Sequence, residues 1–424
     1  MNSAVTRAVC KLLRAPNAAG MVVRKLHGKP PTTSGVIKQL SKRSIVIEAQ
    51  AKSAETKLLQ QLRSRILATG PITVAEYMKE VLTNPMSGYY MHRDVFGSSG
   101  DFTTHGAELD LLFVLQLVAV WFLNEWVKAG KPKPLYIVEL GPGRGTLSDD
   151  MLRVFSKYSD AMEVVSLHLV EISPHLSQVQ ELKLCGTVSV VKDVFEHNPV
   201  TLRLPVKKDT EEASLFDLHE VYSACTVLCA SRNHHLVSDS LYDMQATYKH
   251  SITKHGVPVG WYREKRDHVE VCPEAGVIVQ ELAHRMDEHG GCGLIVDYGH
   301  DGDKTDTFRA FKNHALHPAL SEPGTADLTA DVDFSYLRRI LKDRALTFGP
   351  IPQGEFLRNM GINIRLEKLL ANCPPEARQD LLTGYEMLTN PEKMGERFKF
   401  FGIFPKDMQD TLSTNPPAGF FAPS

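Results

Sequence analysis

The sequence has no segment long and apolar enough to span a bilayer as a helix. Its longest uncharged, mainly apolar run, Leu111 to Asn124, has 14 residues with Gln116 inside it. A spanning helix needs roughly 20, so the run reads as a buried helix. Paired cysteines are also missing. The seven cysteines are scattered, and only Cys225 and Cys229 lie close together. No second pair and no histidine stands at zinc spacing, so neither a metal site nor a disulfide framework is expected. Free thiols in a reducing compartment fit better. Acidic residues are absent before Glu48, while that stretch holds nine basic ones. Wholesale disorder is excluded by 43% hydrophobic and 23% charged residues, an ordinary globular mixture.

What is present divides unevenly. Arg7, Lys11 and Arg14 fall at i, i+4, i+7, with Val5, Val9, Leu12 and Leu13 largely opposite. A basic amphipathic helix without acids has the pattern of a mitochondrial transit peptide. Without the leader, the net charge changes from −2 to −11. An acidic body argues against a nucleic-acid-binding surface.

Residues 1–45 are read as leader, 46–130 as an N-terminal helical region, 131–404 as the main domain and 405–424 as a tail. Leu58, Leu59, Leu62 and Ile66 form one helical stripe. Gly70-Pro71 ends it, and Thr73 with Glu76 predicts a capped helix to Leu82. The apolar helix 107–128 follows a glycine-rich loop, Gly97 to Asp101. Leu135 to Leu140 is a short, continuous apolar strand of the kind buried in a parallel sheet. Helix 146–158, strand 164–170, helix 174–184 and a short strand near 188–191 complete βαβαβ, hence a doubly wound α/β sheet. Residues 197–245 lose all period and are expected to be poorly ordered. Beyond them, 275–288, 334–341, 355–360 and 376–388 read as helices and 293–299 as a strand.

The first strand leads into Gly141-Pro142-Gly143-Arg144-Gly145. A strand-to-helix loop aims backbone amides at a ligand, and glycines let that ligand approach. A dinucleotide fingerprint needs its third glycine at 146, which is Thr. Glu139 is an unusual residue for a buried strand. It makes sense if ligand or loop amides donate to it, since a buried charge must be paired. Glu171 ends the next strand, where an acid can accept from ribose hydroxyls. The combination suits S-adenosylmethionine, which has a ribose but no pyrophosphate. A nicotinamide-dependent oxidoreductase is the competing reading, disfavoured by the loop spacing.

The flanking residues resemble the MidA-like family of mitochondrial complex I assembly-factor methyltransferases. The resemblance runs through Pro71 to Tyr90, Gly100-Asp101-Phe102, Val138 to Leu147, Asp297-Tyr298-Gly299-His300, Gly324 to Thr329, Asp331 to Phe334 and Met394 to Phe398. It implies a Rossmann-like fold, S-adenosylmethionine as methyl donor, and methylation of an arginine in a core catalytic subunit of complex I in the matrix. It also adds Gly100 and Asp101 to the cofactor residues Glu139, Gly141, Gly143, Gly145 and Glu171. Asp101, Asp297 and Asp327 are the acids that could grip the acceptor. His300 reads as structural, and His234 and His235 as surface residues.

Three features depart from the family. The chain after Phe102 reads Thr-Thr-His-Gly-Ala-Glu, where T-S-P-E is usual. Residues 197–243 are unlike it. Trp261 to Arg263 runs almost directly into Arg266, where the family has a few dozen residues, including a strand and an H-E-x-x-D-x-x-P motif. A sheet lacking one central strand is therefore expected, and with it the alternative of a catalytically impaired or non-catalytic assembly protein.

Overall fold

The computed structural model describes residues 56–91, 107–171, 173–184, 191–193, 200–204, 226–231 and 270–420. The basic leader, Gly100-Asp101 and the altered loop after Phe102 lie outside the described residues. In chain order the strands are β1 (Leu135–Leu140), β2 (Val165–Glu171), β3 (Val191–Asp193), β4 (Val200–Leu204), β5 (Thr226–Ser231), β6 (Cys292–His300), β7 (Arg309–Lys312), β8 (Ala315–His317), β9 (Asp327–Thr329), β10 (Val332–Asp333), β11 (Ala345–Pro352) and β12 (Phe398–Pro405).

The chain divides into two compact units, one of residues 1–93 with 309–328, the other of 94–308 with 329–424. In the first, helix Lys57–Thr69 buries Leu58, Leu62 and Ile66 on one stripe. Helix Val74–Thr83 opens with the capping box expected of Thr73 and Glu76. Arg65 ties the two helices through Glu76 at 2.8 Å and Glu80 at 3.2 Å. Segment 309–328 joins them from far along the chain. It supplies the small sheet β8-β7-β9, the Ala319 carbonyl that accepts from the Tyr77 hydroxyl (3.0 Å), and Asp327, which accepts from Tyr90 (2.7 Å).

The second unit is built on a sheet ordered β11-β12-β6-β5-β1-β2-β4-β3, with β10 beside β6. β1 and β2 are parallel, pairing Leu135 with Val165 through Leu140 with Val170. All six residues of β1 are buried, so its apolar residues face both sides of the sheet rather than alternating with polar ones, and Glu139 is the one charged residue among them. One face takes Ile137, Leu169, Leu294 and Phe400 into a core with helices Ala107–Lys128, Thr146–Phe155 and Arg378–Thr389. The other takes Val138, Leu140, Ile295 and Phe401 into a core with helices Pro273–His289 and Phe334–Leu341. The long apolar helix is thus a core helix. Trp121 is fully buried, its indole N–H donating to the Ala418 carbonyl at 2.9 Å.

Several expectations change here. Within the segment expected to be poorly ordered, the described residues form β4, against β2, and β5, and the others lie outside the described residues. No gap opens beside β1, because β5 lies antiparallel between β1 and β6, pairing Val138 with Cys229 and Cys229 with Gly293. Two buried strands must find partners for every N–H and C=O that face each other, and the run Thr-Val-Leu-Cys-Ala-Ser can serve from either direction. The third strand is described over Val191–Asp193, and residues 188–190 of the expected strand lie outside the described residues. β11 and β12 had no clear signal, since Gly, Pro and Lys interrupt their apolar runs. The supposed tail carries helix Gln409–Thr414, and Leu412 and Phe420 enter the first core.

Phe356 and Phe400 stack at 4.0 Å and 13°, both fully buried. Phe356→Ala is expected to lower stability by about 3–5 kcal/mol through lost burial and the remaining cavity. Urea unfolding should show a lower midpoint with an unchanged slope.

Candidate functional site

The site grows from the end of β1. Gly141, Gly143 and Gly145 adopt φ values of +69°, +56° and +72°, the left-handed region that glycine enters without cost. The loop is pinned by the Gly141 N–H on the Val170 carbonyl (3.0 Å) and the Gly145 N–H on Pro142 (2.9 Å). Gly145 is also the N-cap of helix Thr146–Phe155, and no side chain caps it. The first turn's amides are therefore the donors this helix end can offer a ligand. A Cβ on Gly145 would sit 3.3 Å from Leu184 Cδ1 and 3.4 Å from Gln180 Cγ. That glycine is needed for the second helix to pack.

Two carboxylates stand beside the loop on one face of the sheet. Glu139 pairs in register with Leu169, and Glu171 follows two residues further on β2. Glu139 is 2% exposed and accepts from the Ser148 hydroxyl. Among the described residues no cation pairs with it. Burial, with the negative charge of Glu171 added, pushes its carboxyl up to about 7, while Ser148 acts in the opposite direction. Glu171 is also buried and accepts from the Ser173 N–H (2.8 Å) and from Gln180 Nε2 (3.1 Å).

Gln180 was missed from the sequence. Its amide bridges Glu171 to the Gly143 carbonyl at 2.6 Å and so ties the acid to the loop. Ser148 was missed as well. Both carried a signal. Gln180 takes the middle of the buried stripe Leu176, Gln180, Leu184, and Ser148 shares its stripe with Met151 and Phe155. A polar residue at a core position needs a polar partner.

The other nominated residues are spread more widely. Asp297 is half-buried on β6, its carboxylate accepting from the Tyr298 N–H at 2.7 Å, and stands opposite Lys399 of β12. Asp327 belongs to the first unit and holds Tyr90 there. His300 is buried at the end of β6, and its Nδ1 accepts from the N–H groups of Gly302 (3.0 Å) and Lys304 (3.4 Å). Asp303 lies 3.6 Å from the same nitrogen. His234 and His235 lie outside the described residues.

The described members of the site offer carboxylate acceptors, the Ser148 hydroxyl and the backbone amides of the glycine loop. Such a donor and acceptor set can bind a diol and a cation and orient them.

The family model of S-adenosyl-L-methionine-dependent methyltransferases matches residues 117–351. The chain is 44% identical over 396 residues to the mitochondrial protein arginine methyltransferase NDUFAF7 of Danio rerio, covering 87% of this chain and 93% of that protein. It is 44% identical over 392 residues to the human protein of that name, covering 84% and 85%. It is 41% identical over 404 residues to the Drosophila melanogaster homologue, covering 88% and 90%. Among solved structures it resembles a COG1565 superfamily member from Burkholderia thailandensis bound to S-adenosyl-homocysteine. That match has a TM-score of 0.56 at 18% identity and covers 89% of this chain and 95% of the other.

Proposed function

Since the chain belongs to the S-adenosylmethionine-dependent methyltransferase family that includes the mitochondrial protein arginine methyltransferases NDUFAF7, we propose that it methylates an arginine of a core catalytic subunit of respiratory complex I. It works in the mitochondrial matrix and supports assembly of that complex. Gly141, Gly143 and Gly145 cradle the cofactor, Glu171 accepts from its ribose hydroxyls and Glu139 offsets its positive charge. Gly100 and Asp101 complete this set by resemblance. The observation that carries the reading is the bridge from Glu171 through Gln180 to the Gly143 carbonyl, which makes one unit of loop and acid.

When bound, S-adenosylmethionine supplies an electrophilic methyl group for in-line transfer. The protein's task is to place the acceptor nitrogen at near-attack distance. A guanidinium stays protonated at any physiological pH, so carboxylates must orient it and receive its proton as the new bond forms. Asp101 and Asp297, in the unit that carries the glycine loop, are the acids proposed for that work.

The direction of β5 favours a second reading. An antiparallel strand leaves the sheet near Tyr136, at the opposite edge from the glycine loop. A parallel strand there would deliver its following loop, and any acceptor-gripping acids on it, to the site. A protein that binds the cofactor but acts in assembly without turnover is the alternative.

Calorimetry on the full chain tests both, with NAD as control, followed by transfer of labelled methyl to the purified complex I subunit. The expected result is micromolar S-adenosylmethionine binding, none of NAD, and label on one arginine. Glu171→Ala should weaken cofactor binding by about 10- to 100-fold, the cost of losing hydrogen bonds to a charged acceptor. Binding without transfer selects the assembly role. A folded chain that binds neither cofactor overturns the reading.

A further inference from the structure

We infer that Tyr298 and Phe398 form an aromatic wall against which the acceptor guanidinium stacks, an assignment that rests on the methyltransferase reading above. Strand alternation puts the pair on the face of the site. Glu139 shares its side of β1 with Leu135 and Ile137, and Glu171 its side of β2 with Leu167 and Leu169, all members of the first core. On β6 that side is held by Cys292, Leu294 and Val296, and two residues further by Tyr298. On β12 it is held by Phe404 and Phe400, and then by Phe398. Gly299 fixes the phase, since a Cβ there would strike Phe334 of the other core. Height follows from the ladders. Glu139 pairs with Leu228, and Leu228 with Leu294. β6 runs parallel to β1 across the antiparallel β5, so Asp297 to His300 end at the edge where β1 enters the glycine loop. The lateral offset is two strand spacings, about 10 Å.

The strand order along this edge is β6-β5-β1-β2. With the ribose on Glu171 of β2, the methyl-bearing end of the cofactor lies toward β5 and β6, and an acceptor in line with it comes from that side. Tyr298 and Phe398 face each other in register there, with ring centroids 4.0 Å apart and planes at 37°. Phe400 and Phe404, on the same side of β12, are fully buried, whereas Phe398 and Tyr298 are half-buried. The aromatic row thus leaves the core at the site and keeps ring surface accessible. The face of an aromatic ring attracts a planar guanidinium, most strongly where water is excluded. A ring accepts no proton, so holding the cation and removing its proton fall to different groups. Asp297, proposed for the second task, accepts from the Tyr298 N–H at 2.7 Å.

The test compares Tyr298→Leu, which keeps an apolar side chain against Phe398, with Tyr298→Phe, which keeps the ring. Calorimetry measures binding of the purified complex I subunit to the full chain saturated with S-adenosylhomocysteine, so no turnover is needed. Tyr298→Leu should weaken subunit binding by about 5- to 30-fold, the worth of a desolvated cation–π contact. In the methyl-transfer assay it should raise KM for the subunit more than it lowers kcat. Tyr298→Phe should bind within about twofold of wild type. S-adenosylmethionine affinity should be the same in all three proteins. Phe398→Leu, measured in parallel, should weaken subunit binding in the same direction and decides the matter should Tyr298→Leu fail to fold. Wild-type subunit affinity in the leucine variants overturns the wall and leaves the cofactor site standing. Lost S-adenosylmethionine affinity in a folded Tyr298→Leu also overturns it, by placing the ring on the donor. A wild-type chain that binds no S-adenosylmethionine removes the methyltransferase reading and this assignment with it.

Discussion

Gly143→Val is expected to lower S-adenosylmethionine affinity by about 100-fold or more while the protein remains folded. At φ of +56° a β-branched residue is strained, by about 1–2 kcal/mol or more. The chain can relieve that strain only by turning the peptide. Turning it breaks the 2.6 Å hydrogen bond from Gln180 to the Gly143 carbonyl, and with it the link from the loop to Glu171. On the proposed reading, the added side chain also stands where the cofactor approaches the backbone. Gly361→Val is the control. Gly361 has φ of +86°, and a Cβ there meets nothing within 4 Å. That variant should lose a similar amount of stability and none of the binding. Calorimetry and thermal melts on both proteins separate the two effects. Equal cofactor affinity in Gly143→Val and wild type would remove the loop from the site.

The second large effect concerns Glu139 and pH. Its carboxyl ordinarily titrates near 4.5 and is raised to about 7 by burial and by Glu171. Between these values the folded protein keeps a proton that the unfolded chain has released. Stability therefore falls as pH rises from about 4.5 to 7 and is level beyond. The shift is worth about 3 kcal/mol. Glu139→Gln keeps an acceptor for Ser148 without the charge, so the variant should be the more stable protein at pH 8 and show no advantage at pH 4.5. Cofactor binding moves the other way. A sulfonium and an ammonium favour the ionised carboxylate, so affinity should rise about tenfold from pH 6 to pH 8 as that form becomes populated. Binding should release a proton, read from calorimetry in buffers of different ionisation enthalpy. A wild-type affinity that is flat across this range would show that Glu139 does not face the cofactor's charge.

These effects rest on residues of unequal visibility. Gly141, Gly143, Gly145 and Glu139 could be nominated because glycine spacing and an acid inside an apolar strand are local signals. Glu171 followed from the end of the next strand. Ser148 and Gln180 looked like ordinary helix residues until their stripes were seen to face the core. Asp297 and Asp327 show the limit of nomination by residue type. One stands on the main sheet and the other anchors Tyr90 within the first unit, a difference with no local mark in the sequence.

The sequence alone determined the parallel pair β1 and β2, the helices that flank them and the loop between, because each is written in consecutive residues: period, caps and glycine positions act over one or two turns of chain. The tertiary structure decided what depends on distant partners. It placed 309–328 with the N-terminal helices, brought β12 and Phe420 into the core, and put β5 between β1 and β6 in reverse. A short apolar strand can pair in either direction at similar cost, so its orientation is settled by the edges it must fill and not by its own residues.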